Sequence, residues 1–479
     1  MKQQIITAAT LCIAAPAIAF AQKKPNIVFI LADDLGYGDL SCYGQEKFET
    51  PNIDRLAQEG LRFTQCYSGT TVSAPSRACL LTGLHSGHAA VRGNAGTEPE
   101  GQFPLPADAH SIFQVMKDNG YLTSAFGKWG LGYITSTGAP DKQGCETFFG
   151  YNCQSLAHNY YPDHLWDNDT KVELTDNVIE KRYGTGTYSA DLIHQKALEY
   201  LDKMTPDKPF FMWYPTTIPH AELIVPNDSI IHKFKGKYPE KAYQGVEPGD
   251  PHFRLGGYCT QLYPHATFAA MIYRLDVYVG QIVEKLKEKG LLDNTIIIFA
   301  SDNGPHLEGG ADPDFFNSNS IYRGYKRDLY EGGIRVPMII SWPGHIQKGE
   351  ETNFMCSFWD VLPTVENLIH VKAAKRMDGI SLLPLLENKK GQAEHDFLYF
   401  EFHENNGRQA VRKGAWKLIY LDINGKNPHY ELYNIASDPS ECHNLIGQYP
   451  DKVSELKAIM VKEHQYDPNW PLLPGEFRK

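Results

Sequence analysis

The chain is short of several features that would settle its class at once. Beyond its opening segment, no stretch of about 18 uninterrupted apolar residues occurs, so stable membrane insertion as a helix is not expected. Lys and Arg number 46 against 57 Asp and Glu, a formal charge of −11, which argues against a broad nucleic-acid or polyanion face. The nine cysteines are scattered and not in paired metal-binding spacing, so no thiolate metal site is encoded. Low-complexity tracts are also missing. An anionic ligand would have to be met by a local cluster of cations.

What is present begins with a leader. Lys2, an apolar run from Ile5 to Ile18 and then Ala19-Phe20-Ala21 read as a secretory signal covering residues 1–21, which implies an exported, periplasmic protein starting at Gln22. Cys12 leaves with that segment. Cys145 and Cys153 are the closest remaining couple, and an oxidising compartment would permit a bridge that spacing cannot establish. Buried free thiols are the expected state for most cysteines. The remaining length exceeds one comfortable core, so a large domain over 22–365 and a smaller one over 366–479 are expected.

Short apolar runs recur between helical stretches: Asn26 to Leu31, Leu122 to Phe126, Phe210 to Tyr214, Thr295 to Ala300 and Val336 to Trp342. Near-continuous apolar strands alternating with helices predict an α/β fold with a large, mostly parallel sheet covered on both faces. Leu275 to Leu286 has helical spacing and a stop at Gly290. Past about Pro363 the pattern changes to α+β: Phe397 to Phe402, Gln409 to Tyr420 and Tyr430 to Ile435 as antiparallel strands, the second with one wet face, and Asp451 to Glu463 as a helix across them.

In parallel sheets the binding crevice lies beyond the carboxyl ends of the strands, and here those ends carry Asp33-Asp34, Lys128, His220 and Asp302-Asn303. Three carboxylates and an amide oxygen, without Cys or His, suit a hard cation, Ca²⁺ before Mg²⁺. Any one of these residues alone would read as a turn or cap. Two acidic pairs at two strand ends favour a cation between them, because crowded carboxylates repel.

Ser73-Ala74-Pro75-Ser76-Arg77, followed by Leu80-Leu81-Thr82-Gly83, resembles the signature of the type I sulfatases, whose Cys or Ser at the first position is oxidised to formylglycine. The Asp33-Asp34 pair, Gly127-Lys128-Trp129, Pro219-His220, Asp302-Asn303-Gly304 and Gly324-Tyr325-Lys326 follow in the order expected of such sulfatases in the alkaline phosphatase superfamily. The resemblance implies Ca²⁺ held by Asp33, Asp34, Asp302, Asn303 and the modified Ser73. It also implies that Arg77 steadies the nucleophile, Lys128 and Lys326 grip sulfate oxygens, His220 is the general acid and Asp302 the base of the collapse step. A Ser precursor implies a maturing enzyme that acts before export.

One departure stands out. Relatives commonly carry His where this chain has Gly130, and His85 or His88, in the loop after the Ser73 helix, are the candidate substitutes. Residues expected to read the organic part are Arg92, His158 and Arg323, with Asn94, His265, His306, Glu401, His403 and Arg408 as a wider set, since sugars are bound by planar polar and aromatic side chains. The expected substrate is a sulfated carbohydrate, galactose or N-acetylgalactosamine carrying 4- or 6-sulfate. Two rival readings remain at this point: a phosphate ester hydrolase of the same superfamily, and an unmatured, catalytically silent sulfoglycan-binding protein.

Overall fold

Thr295–Ser301, Asn26–Ala32, Phe210–Pro215 and Leu122–Lys128 lie side by side and parallel in the middle of an 11-stranded sheet. The structure, a computed structural model, describes residues 23–98, 100–178, 186–251, 253, 257–371 and 377–478; the signal-peptide reading and Cys12 fall outside the described residues. These strands are buried almost throughout and mostly apolar because both faces are covered. Ile27, Phe29 and Leu31 meet the helices Ser73–Thr82, Ile112–Asp118 and Val361–Leu368, while Val28, Ile30 and Ala32 meet Pro51–Gln58, Ser189–Asp202 and Pro264–Glu288. Truncating Phe29 to Ala in such a core costs about 3–5 kcal/mol.

On one flank Arg335–Ser341 pairs antiparallel with Thr295–Ser301 and then with Leu61–Tyr67; on the other Thr147–Tyr151 adds one more parallel strand and leads to antiparallel His164–Asp167 and Thr170–Glu173. The expected helix from Leu275 is the second half of the 25-residue helix Pro264–Glu288, with Gly290 just past it at φ 64°.

The parallel centre sends every carboxyl end to one rim. Trp129 anchors that rim: it is fully buried, its indole donates to the Gly138 carbonyl at 2.7 Å, and its ring meets Trp213 edge-on at 5.7 Å. Lys128, one residue earlier, is thereby aimed in the opposite direction along the alternating strand.

The second sheet has four antiparallel strands, Leu398–Phe402, Arg408–Lys413, Trp416–Leu421 and His429–Asn434, with the helix Pro450–Glu463 on one face. The single strand expected over Gln409 to Tyr420 is a hairpin that turns at Gly414, whose φ of 55° favours glycine. Its expected wet face is dry as well. Val411 and Leu418 pack under the helix, and Ala410 and Ile419 pack against Tyr67, Val72 and Trp359 of the large body.

Buried charges join the two sheets. Glu331, five residues beyond Lys326, meets Arg335 at 3.2 Å, Arg412 at 3.3 Å and Lys417 at 3.0 Å, and Lys417 also meets Glu441 at 3.0 Å. Burial pushes the Glu441 carboxyl up to about 7 against the pull of Lys417. The eight described cysteines are free, so Cys145 and Cys153 are separate buried thiols.

Candidate functional site

Ser73 opens the helix Ser73–Thr82, every residue of which is buried. Ser76 fixes the helix to the rim by donating to the Asp302 carbonyl at 2.6 Å, and Asn94 accepts from the Ala74 amide at 2.9 Å. The hydroxyl of Ser73 then donates to Asp33 at 3.0 Å.

The three carboxylates use their oxygens in a common way. Each gives Oδ2 to a fixed cation: Asp33 to Lys128 at 2.6 Å, Asp34 to Lys326 at 2.8 Å and Asp302 to Arg77 at 2.9 Å. Each turns Oδ1 inward. Asp33 Oδ1 accepts from Ser73, Asp34 Oδ1 from Asn303 Nδ2 at 2.7 Å, and Asp302 Oδ1 from the Asp34 amide at 3.1 Å. Asp34 reaches this geometry with φ 63°, a strained value of the kind found at functional sites.

Electrostatics follow from this crowding. Burial would raise the Asp33 carboxyl, but Lys128, His220, Arg77 and Lys326 hold it well below the usual range. Burial and then the charge of Asp33 push Asp302 up to about 6. Burial lowers Lys128, whereas for Lys326 the carboxylates of Asp34 and Glu308 outweigh burial and raise it. His220 is driven well below its ordinary value by burial and by Lys326, whose Nζ is 3.0 Å from Nε2, while Nδ1 faces the Ala221 carbonyl at 2.5 Å.

The donor set fits a hard dication. The inward oxygens of Asp33, Asp34 and Asp302 and the Ser73 hydroxyl are hard oxygen donors, as is the carboxamide of Asn303, which bonds Asp34 Oδ1 through Nδ2 and whose buried Oδ1 has no hydrogen-bond partner. An orphaned acceptor beside crowded carboxylates is what an all-oxygen cation site leaves when its charge is taken away. Asp33 and Asp34 also bring an oxygen near His220, which a softer metal would use.

A sulfatase family model matches residues 25–371, and a model of the C-terminal part of N-sulphoglucosamine sulphohydrolase matches 323–465. The chain belongs to the sulfatase family. It is a sulfuric ester hydrolase, a type I sulfatase of the alkaline phosphatase superfamily. It is 29% identical to an N-acetylgalactosamine-6-O-sulfatase of Bacteroides thetaiotaomicron, over 91% of this chain and 93% of the relative. An N-acetylglucosamine-6-O-sulfatase of the same organism is 26% identical, over 94% and 88%. Among solved structures, Ps i-CgsB in complex with k-i-k-neocarrahexaose superimposes with a TM-score of 0.76 at 28% identity, over 95% of this chain and 96% of that one.

The sulfatase gathers some of the other expected residues at the rim and not others. His158 stacks on His220 with ring centres 4.7 Å apart, and His306 lies on the other side at 5.6 Å. Burial and then Lys128 bring the His158 imidazole down to about 3. Arg92, by contrast, is buried against the C-terminal part, donating to the Gln465 carbonyl at 2.6 Å and meeting Glu401 at 3.5 Å. Arg323 lies over Tyr330 at 3.9 Å and donates to Tyr433 and to the Glu441 carbonyl, so its described contacts brace the second sheet.

His85 and His88 do not replace an imidazole at position 130. His88 bonds Asp378 at 2.9 Å, and His85 meets Glu463 at 3.4 Å while its Nδ1 accepts from the Gly87 amide. They tie the loop after the Ser73–Thr82 helix to the C-terminal helix. His265 stacks on Phe315 and bonds the Pro239 carbonyl, Arg408 meets Asp328, and His403 bonds Glu401 at 2.9 Å. Glu308 was missed from the sequence. It meets His306 at 3.2 Å, Lys326 at 3.9 Å and Arg327, and its only signal is a carboxylate in the loop that follows Asp302.

Proposed function

We propose that this sulfatase is exported through the leader at residues 1–21 and hydrolyses sulfate esters of carbohydrates. Ca²⁺ would be held by Asp33, Asp34, Ser73, Asp302 and Asn303, and Ser73 would be oxidised to formylglycine by a maturing enzyme before export. Galactose and N-acetylgalactosamine 4- or 6-sulfates are the first substrates to try, and the likeness to an N-acetylgalactosamine-6-O-sulfatase supports the 6-sulfate. The observation that carries this reading is the division of labour among the carboxylates, with Oδ2 on fixed cations and Oδ1 turned toward Ser73 and Asn303.

Three carboxylates facing Lys128, Lys326 and Arg77 leave no net positive charge for an anion, and a dication restores it. Bound there, Ca²⁺ supplies electrostatic stabilisation of charge growing on the sulfate oxygens. Oxidised and hydrated, Ser73 would offer one hydroxyl to attack sulfur and retain a second, whose deprotonation would break the C–O bond to sulfate and restore the aldehyde. Lys128, 3.4 Å from Ser73 Oγ, and Lys326 orient the sulfate. Arg77 holds Asp302 through Nε at 3.1 Å and Nη2 at 2.9 Å, and Asp302 takes the proton that leaves the second hydroxyl. His220 protonates the sugar oxygen as the S–O bond breaks; the incoming anion beside Nε2 raises the imidazole's proton affinity from its depressed resting value.

The decisive experiment is the mass of the Ser73 peptide from the native host, with sulfate release from N-acetylgalactosamine 6-sulfate measured on the same preparation. Loss of two hydrogens together with sulfate release is expected. Unmodified Ser and no release would reduce the protein to a sulfoglycan binder.

A further inference from the structure

Among the described residues, the buried polar atoms without a hydrogen-bond partner include Asn303 Oδ1, His158 Nδ1 and Gln154 Nε2. The first belongs to the cation set, and the second sits on the ring stacked against His220. Gln154 is unexplained by anything above.

Its position is set by two parallel strands that run past their formal ends. Trp129 donates to the Tyr151 carbonyl at 2.8 Å and Gly130 to the Asn152 carbonyl at 3.1 Å, so the segments after Lys128 and Tyr151 advance together beyond the rim. The Gln154 amide is then pinned by the Gln102 side chain at 3.0 Å, and the turn that follows carries His158 over His220. Gln154 therefore lies on the segment that runs beside the residues following Lys128, four residues before His158.

Gly130 makes the space. A Cβ at this position would stand 2.3 Å from Gln154 Nε2, and the backbone there has φ 72°. The carboxamide occupies the volume into which any side chain at 130, two residues along from Lys128, would begin to extend. A primary amide nitrogen donates two hydrogen bonds, and leaving both unmade in a buried place costs free energy. Such an atom, set against Gly130 two residues past Lys128 and carried by a residue four before His158, points to an acceptor that arrives with the ligand.

We infer that Gln154 is a substrate-binding residue whose Nε2 donates to an oxygen of the sulfate group, in place of a side chain at position 130. The inference rests on the proposed sulfatase site and names one more of its donors. His158, on the same turn, stands next in line toward the leaving group.

The test pairs Gln154→Leu, which keeps the volume and removes both donors, with Gln154→Glu, which replaces them with a negative charge. Inorganic sulfate, titrated calorimetrically into each protein, reads the contact without requiring formylglycine or turnover. Loss of one hydrogen bond should weaken sulfate binding and lower kcat/KM by about tenfold or more in the Leu variant, and further in the Glu variant. The Tm of Gln154→Leu should stay level or rise, because an unpaired buried donor has been removed. A packing role predicts the opposite pairing. Sulfate affinity and kcat/KM within about twofold of wild type, less than one hydrogen bond is worth, overturn the inference, as does a fall in Tm that tracks the loss of affinity. Wild-type protein that neither binds nor releases sulfate overturns the site reading as well, which separates the two failures.

Discussion

Lys326 donates to His220 Nε2 at 3.0 Å, so the imidazole nitrogen nearest the cluster is a proton acceptor in the resting site. The acid role proposed for it requires an anion to come between the two. His220→Ala should therefore lower kcat/KM for sugar sulfates by about 100-fold or more, because an alkoxide leaves poorly without a proton. Aryl sulfates, whose phenolate leaves unaided, should lose far less. Equal losses on both, measured in one buffer at one pH, reject the acid role.

Calcium should stabilise the folded chain. A ligand that binds only the native state at a hundred times its Kd adds about 2.7 kcal/mol. The Tm measured by scanning calorimetry should fall on chelation and recover with Ca²⁺, and Asp34→Asn should abolish the recovery. A chelator-insensitive Tm in the wild type would count against the cation site.

The Glu331 network offers a test of the link between the sheets. Lys417→Met leaves Glu331 and Glu441 short of a buried countercharge, a situation that costs about 3–5 kcal/mol. Denaturant unfolding should register that loss. A change below about 1 kcal/mol, the scale of an exposed pair, would mean the network is not structural.

His464 gives a pH signature. Burial would lower its imidazole, but Glu401 at 2.5 Å and Glu476 at 2.7 Å raise it above the ordinary 6.5. A raised folded value means that its contribution to stability is complete below pH 6.5 and disappears as pH climbs through the folded value. The Tm gap between wild type and His464→Gln should be widest at the acid end of a series running from below pH 6.5 upward. A gap that widens toward alkaline pH would show the sign to be wrong.

The site was legible in the sequence where strand burial writes it plainly. Asp33-Asp34 and Asp302-Asn303 each follow a mostly apolar buried run and Lys128 ends another buried strand, and a parallel sheet sends such ends to one rim. Leu61–Tyr67, with Arg62, Thr64 and Gln65 on its partly exposed side, lacked that signal. Arg92 and Arg323 looked like sugar readers because arginine is polar and planar, yet Arg92 reaches Glu401 and the Gln465 carbonyl, and Arg323 reaches Tyr433 and the Glu441 carbonyl, all more than a hundred residues away in sequence. Gln154 carried no signal of its own, since its meaning depends on the absent side chain at Gly130.

Glu331 draws two of its three countercharges, Arg412 and Lys417, from the four-stranded sheet, while its own turn lies just beyond Lys326. Grafting another sulfatase's tail onto this body to alter glycan preference would thus strip charge from the segment that carries Lys326, proposed above to orient the sulfate. Any such chimera has to import the matching Arg and Lys along with the new rim.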